Sequence, residues 1–277
     1  MFEVVVVLYN MTFSESPTIM SLNQLLASGA FPEIRKILIF DNSEFSTIPE
    51  GLDKRFIYHH SEVNVGLAKA YNYALKNIEY RSEWLITFDQ DTLITVDYLT
   101  ELVKHHDISS DIVLLAPLVK DQNQQISPVF GDSLRPLHKD LPKKNRLYSQ
   151  MIMVINSGAT IRVSFMREIG GYNLDFPLDY LDHWLCWKIF KEQKKIFIFS
   201  ATLQHELSVL NYADQMNISR YKSIMHAEAI YYSSYAGDLF IAYRKQLFFR
   251  GCKQILTGKF NYGKLTFIYF FTIHLND

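Results

Sequence analysis

Apolar residues in the first hundred positions follow two periods in turn. Short runs rich in β-branched and aromatic residues, "FEVVVVLY", "KILIFD", "RFIYHH" and "EWLITFD", alternate with stretches around 17–28, 66–78 and 96–106 whose apolar positions recur at helical spacing. Continuous apolar strands need cover on both faces, so the pattern predicts βαβ units and a mainly parallel sheet flanked by helices. In such a sheet ligands gather outside the carboxyl ends of the strands. Polar residues stand at those ends: Asn10 after the first strand, Asp41 and Asn42 after the second, Asn64 and Gly66 after the third, Asp89 and Asp91 after the fourth.

Residues 120–148 hold no sustained period and include prolines, which predicts a long loop. Beyond it, "QMIMVIN", "GATIRV", a short helix, the acidic and aromatic segment "LDFPLDYLDHWLCWKIF" and the strand "KKIFIFSATL" complete an α/β unit over 1–210. Residues 211–277 turn helical and rich in Tyr and Phe, and form a separate C-terminal segment.

Composition narrows the classes. With 277 residues, 48% of them hydrophobic and 21% charged, the chain can bury a sizeable core. A net charge of −1 gives no global attraction to nucleic acid, so an anionic partner needs a local site. Cys186 and Cys252 lack metal-ligand spacing and read as free thiols of a reducing compartment. "MFEVVVVLYN" reads as a strand rather than a signal peptide, and no apolar run has bilayer-spanning length, so the expected location is the cytoplasm. Near the C-terminus Arg244, Lys245, Arg250, Lys253, Lys259 and Lys264 interleave with apolar residues, opposed there only by Asp238 and Asp277. Two readings stand: contact with the inner face of an anionic membrane, or helices packed on the sheet with lysines in water.

The chemistry starts from "LITFDQDTLIT", residues 85–95, which ends an apolar strand in two carboxylates. Isolated carboxylates are costly to desolvate, so the pair needs water, donors or a cation. Three readings follow: a solvated turn, an aspartyl-phosphatase nucleophile, or a divalent-cation site holding a nucleotide diphosphate. The phosphatase signature has Thr or Val where Leu93 stands, and follows the first strand rather than the fourth. Carboxylate oxygens suit Mg²⁺ or Mn²⁺, with phosphates and waters as further ligands.

Taken in order, "VVVLYN", "IFDNSE", "NVGLAKAYNYAL", "ITFDQDT" and "GGYNLDFPLDYLDHWLCWK" resemble the motif series of family 2 glycosyltransferases with the GT-A fold, over roughly residues 2–206. The form "FDQDT" with "GATIR", "GGYN" and "FPLDYLD" looks most like the bacterial rhamnosyltransferase branch that builds surface polysaccharides. The resemblance implies inverting transfer from a nucleotide-diphosphate sugar, dTDP-rhamnose or alternatively a UDP-linked hexose, to a glycan or lipid-linked acceptor. A non-catalytic glycan-binding homologue is the other alternative.

Residue by residue, the resemblance places Asp41 at the nucleotide base or ribose, with Tyr9 and Asn10 lining that pocket. Asn64, Gly66 and Lys69 fall on a donor-side motif, in which the glycine allows close backbone approach and a helix N-terminus offers amides to phosphate. The residue-level alternative is an Asn64 helix cap with Lys69 in water. Asp91 would ligate the metal, Asp89 the ribose or a metal-bound water, and His205 the metal or diphosphate. Asp182 falls on the base that deprotonates the acceptor hydroxyl, and Asp179 beside it would orient acceptor or base. His183 and Trp184 depart from the pattern, where relatives have a small residue and an acid. Trp184 offers a ring for a sugar, or a core side chain at helical spacing with Leu181 and Trp187. Arg220 and Tyr221 resemble a basic and aromatic pair near the diphosphate. His59, His60, His105 and His106 read as surface residues.

Overall fold

The computed structural model describes residues 1–27, 29–46, 50–79, 81–138, 140–204 and 217–275. Strands β1 (Phe2–Leu8), β2 (Ile34–Asp41), β3 (Phe56–His60) and β4 (Trp84–Asp89) pair in parallel in the order β3-β2-β1-β4. Helices α1 (Pro17–Leu26), α2 (Gly66–Lys76) and α3 (Val96–Lys104) connect or follow them. The sheet continues through β10 (Ala159–Arg162), antiparallel to β4, then β5 (Ile112–Asp121), β11 (Lys195–Gln204) and β8 (Arg146–Tyr148). Remaining elements are β6 (Gln124–Ser127), β7 (Val129–Phe130), β9 (Ile152–Met153), α4 (Val163–Glu168), α5 (Leu181–Lys191) and the C-terminal helices α6 (Ile218–Ser234), α7 (Phe240–Leu256) and α8 (Phe260–Thr272).

The alternation along β1 shows why the strands read as unbroken apolar runs. Val4, Val6 and Leu8 join the core that holds Ile19, Leu22 and Leu26 of α1 and Tyr98, Leu99 and Leu102 of α3. Val5 and Val7 point the other way, to Ala70 and Tyr71 of α2 and to Leu181 and Leu185 of α5. Met225 and Tyr231 of α6 and Tyr243 and Leu247 of α7 enter that second core, so the helical C-terminal segment is packed on the α/β unit.

Two stretches differ from expectation. Residues 120–148, expected as a loop, contain β6, β7 and β8, each too short to show a period, held by ladder pairing to β5, β9 and β11. Residues 112–121, given no element by the pattern, form the central strand β5. Pro117 lacks the N–H a central ladder needs, and β11 bulges beside it, its register shifting between Ile198 and Thr202 where β5 passes from Ala116 to Leu118.

Register brings the carboxyl-end residues together. Leu8 is level with Asp41 across β1 and β2, and Val7 is level with Asp89 across β1 and β4. A bridge from Leu93 to Gln204 sets the acidic turn beside the end of β11.

Candidate active site

The acidic turn is clamped from two sides. From α1, the Thr18 hydroxyl donates to the Asp89 carbonyl at 2.6 Å and accepts the Thr92 N–H at 2.9 Å, while the Ser16 hydroxyl donates to the Gln90 carbonyl at 2.6 Å. From the opposite side, the Ser157 hydroxyl accepts the Asp89 N–H at 3.1 Å and lies 2.6 Å from the Thr92 hydroxyl. Ser16 also caps α1 through the Ile19 N–H, with Pro17 following it at the first helical position, so one serine fixes helix and turn together. Gln90 reaches back to the first strand, its side-chain oxygen accepting the Tyr9 N–H at 2.8 Å.

Asp89 is half-buried and Asp91 exposed. Desolvation, with the charges of Asp91 and Asp182 adding to it, pushes the Asp89 carboxyl up to about 7. Asp182, far along the chain, therefore lies near enough to the acidic turn for its charge to act on Asp89, and both carboxylates act on the buried Tyr71 hydroxyl. Among the described residues no group of three or more His, Cys, Asp or Glu side chains is arranged as a complete metal site. The donor set still fits a hard divalent cation that draws its other ligands from phosphate and water, because such a charge would offset both the desolvation and the repulsion that raise the Asp89 carboxyl. His205 lies outside the described residues.

Asp182 stands in the first turn of α5, where the helix dipole favours negative charge. Burial pushes its carboxyl up, but His183 outweighs this through its charge and two hydrogen bonds and leaves it below the usual carboxylate range. The His183 N–H meets Asp182 Oδ1 at 2.8 Å and its ring Nδ1 at 2.9 Å. A carboxylate only accepts, which assigns the proton to Nδ1. Before the helix, Tyr180 takes a left-handed conformation with φ 63°, a costly one for a non-glycine residue. Packing holds it there: its ring lies 4.5 Å from that of His183 and 5.3 Å from that of Tyr231.

The segments 64–72 and 171–180 lock onto each other. Leu67 and Ala68 N–H groups at the start of α2 donate to the Pro177 carbonyl at 2.7 and 3.3 Å, and the Gly66 N–H donates to Asn64 Oδ1 at 2.9 Å. The expectation that these amides are open to phosphate is corrected accordingly, because the Pro177 carbonyl already fills those of Leu67 and Ala68. Gly66, at φ +80°, allows that approach; a Cβ there would stand 2.5 Å from Pro177 O. Asn72 grips Tyr172 in the same manner two turns along, and a Cβ on Gly171 would stand 2.5 Å from Asn72 Oδ1. The expected Asn64 helix cap is instead a two-residue turn, the capping position falling to Val65. Lys69 is exposed.

Asp41 is only 2% exposed, under the turn it organises. Its Oδ1 accepts the Ser43 N–H at 2.9 Å and its Oδ2 the Tyr58 hydroxyl at 2.7 Å. Asn10, with φ 52°, donates its N–H to the Ser43 hydroxyl, and His60 holds the Ser43 carbonyl at 2.9 Å, so this histidine is part of the wall and not a bare surface residue. Tyr9 and Asn10 are exposed beside that turn. Asp179 is gripped by both terminal guanidinium nitrogens of Arg220, which ties the segment before α5 to α6. Trp184 is corrected: at 6% exposure it packs in the core with Leu181 and Leu185, and no ring face is left for a sugar.

Ser16, Thr18, Ser43, Tyr58, Asn72, Gln90 and Ser157 were not singled out by sequence. Ser16 alone carried a local signal, the serine-proline pair that opens a helix.

The family model of glycosyl transferase family 2 matches residues 3–170, more than half of the chain. No curated protein is matched by sequence. Among solved structures, GalNAc-T7 with UDP, GalNAc and Mn²⁺ is similar at a TM-score of 0.58 and 14% identity, with 84% of this chain and 49% of that one covered. The mannosyltransferase PcManGT from Pyrobaculum calidifontis, in complex with GDP-Man and Mn²⁺, is similar at a TM-score of 0.51 and 14% identity, covering 83% and 69%. This chain thus spans about half the length of the first of these. Both neighbours have the GT-A fold, the architecture seen here.

Proposed function

Because the chain belongs to glycosyl transferase family 2, we propose that it moves a sugar from a nucleotide-diphosphate donor to a hydroxyl of a glycan or lipid-linked acceptor, with inversion at the anomeric carbon. The observation that carries this reading is the convergence of Asp89, Asp91 and Asp182 at the carboxyl end of the sheet, expressed in the raised Asp89 carboxyl. The preferred donor is dTDP-rhamnose, used in building a bacterial surface polysaccharide at the inner face of the membrane. That choice rests on "FDQDT" together with "GGYN" and "FPLDYLD".

Asp182 takes the proton of the acceptor hydroxyl as that oxygen bonds to the anomeric carbon, while the bond from this carbon to the diphosphate breaks on the opposite side. Being held in its ionised form, Asp182 is ready to receive that proton, and His183 fixes the orientation of the carboxylate. Asp91 and Asp89, with His205 as a third candidate, would hold Mg²⁺ or Mn²⁺, which supplies positive charge to the leaving diphosphate when bound. The Mn²⁺ of both solved neighbours supports that cofactor. Tyr9, Asn10 and the turn built on Asp41 would receive the nucleoside, and Lys69 at the outer face of α2 a phosphate. Asp179 would act through Arg220 to fix the acceptor segment.

A thermal-shift screen of dTDP-rhamnose, UDP-hexoses and GDP-mannose, with and without Mn²⁺, followed by donor hydrolysis, tests donor and cation together. The expected result is a shift and a slow hydrolysis that both require the metal, largest for dTDP-rhamnose. A larger response to a UDP-hexose overturns the rhamnosyl assignment, and a shift with no turnover of any donor favours a non-catalytic glycan-binding protein.

A further inference from the structure

On α7, Ile241, Lys245, Phe248, Phe249 and Leu256 are exposed along one stripe, and on α8 Phe260, Lys264, Ile268 and Phe271 form another, with Leu275 exposed just beyond that helix. The helices pack together so that the two stripes meet. Phe248 lies 6.0 Å from Phe267 and 5.7 Å from Phe270, ring centre to ring centre, and Phe271 lies 5.0 Å from Phe270. The most exposed members are large and apolar: Leu256 at 86%, Ile241 and Phe271 at 70% each. Side chains of this kind in a contiguous array are rarely left to water without a partner.

Charge identifies the partner. Between Leu239 and Leu275 there are six Lys or Arg residues and no Asp or Glu, and of the six Arg250 is turned inward to pair with Glu228. A groove of about 670 Å³ opens among Phe240, Arg244, Lys245, Phe248, Phe249 and Phe270, and there the buried Arg244 Nε has no hydrogen-bond partner among the described residues. A second copy of the chain docked through this face would set Lys245, Lys253 and Lys264 against their own like charges. An anionic bilayer surface answers both features, since aromatic and aliphatic side chains enter the headgroup boundary while lysines and arginines meet phosphate. No described helix is long and apolar enough to cross a membrane, so contact on this face lies in the plane of the surface.

We infer that the joined outer face of α7 and α8 is a docking surface for an anionic phospholipid bilayer. Phe249, Phe271 and Leu256 enter the interface, and Lys245, Lys253 and Lys264 hold the headgroup phosphates. This inference is independent of the glycosyl-transfer reading, because its readout is sedimentation and not turnover.

The test is co-sedimentation of the full chain with vesicles of phosphatidylcholine alone and with an equal mixture of phosphatidylcholine and phosphatidylglycerol. Binding is expected to the mixed vesicles, to be weak on the neutral ones, and to fall when ionic strength is raised to about 1 M. The triple variant K245Q/K253Q/K264Q should partition about a hundredfold less, at roughly fivefold per lysine. The double variant F249S/F271S should also lose binding with its thermal midpoint little changed, since both rings are about 70% exposed and touch their neighbours only at one side. Equal binding to neutral and anionic vesicles, or undiminished binding by the lysine variant, overturns the inference. So does a stable dimer that F249S/F271S dissociates while the wild type ignores both kinds of vesicle.

Discussion

The side chain of Asn72 holds the backbone of Tyr172 in both directions, its Oδ1 accepting the Tyr172 N–H and its Nδ2 donating to the Tyr172 carbonyl, each at 2.8 Å. One amide thus closes two hydrogen bonds between α2 and the segment that leads into α5. Tyr172 is 3% exposed, so water cannot replace either bond cheaply. Asn72→Ala should cost about 2–4 kcal/mol of stability, two unpaired buried groups at 1–3 kcal/mol each with some relaxation. Asn72→Asp keeps an acceptor for the N–H but sets an oxygen against the carbonyl, so it should not rescue. Urea denaturation of the three proteins checks both statements.

Gly66→Ala and Gly29→Ala separate backbone strain from collision. Both glycines have positive φ, +80° and +73°, but a Cβ on Gly29 meets nothing within 4 Å, while one on Gly66 lies 2.5 Å from Pro177 O. Gly29→Ala should cost about 1 kcal/mol, the left-handed penalty alone. Gly66→Ala should cost at least about 2 kcal/mol more, as the segment around Pro177 is forced off the start of α2. Equal losses from the two would show that the Pro177 contact is not needed.

Asp182→Asn should lower kcat by about 10²–10⁴-fold with little change in donor binding, the range for loss of a positioned base. His183→Ala tests the electrostatics of the same carboxylate. His183 holds Asp182 below the usual range, so its removal raises that carboxyl, and the acid limb of the kcat profile should move to higher pH. An unmoved limb with reduced kcat would assign His183 to packing alone.

Asp91→Asn should abolish metal-dependent nucleotide binding, read as loss of the Mn²⁺-dependent thermal shift. In the wild type the proton on Asp89 competes with the cation, so apparent Mn²⁺ affinity should rise with pH up to about 7 and then level off. The same carboxyl affects stability without metal. A folded-state value raised from the unfolded ~3.9 to about 7 means that the native protein binds more protons in that window, and stability falls as pH rises through it. Mn²⁺ should remove that fall, which melting curves across pH 4–8 (roughly the window between the two values) would record.

Sequence alone made β1, β2 and β4 legible because each has both faces covered, as the opposite destinations of Val4 and Val5 show, while the half-exposed edge strand β3 was legible from its β-branched and aromatic run. It left β5 unread because Pro117 argues against a central strand, and only the bulge in β11 makes that proline tolerable. The carboxylates at the strand ends were legible as chemistry. The residues that set them were not: Thr18 meets Asp89 71 positions away, and Asn72 meets Tyr172 100 positions away. No local period encodes such pairings. Trp184 illustrates the converse limit, since its helical spacing with Leu181 was visible but whether that face met the core or a ligand was decided by packing.

The Pro177 carbonyl at the head of α2 also bears on how this scaffold can be re-engineered. A chimera that exchanges residues 172–180 for the corresponding stretch of a relative replaces more than an acceptor contact. The Leu67 and Ala68 N–H groups and the Asn72 amide all meet main-chain atoms of that stretch, so a replacement supports the start of α2 only where its backbone follows the same path. The side chains of 172–180 are therefore exchangeable as long as the main-chain path that meets 66–72 is kept.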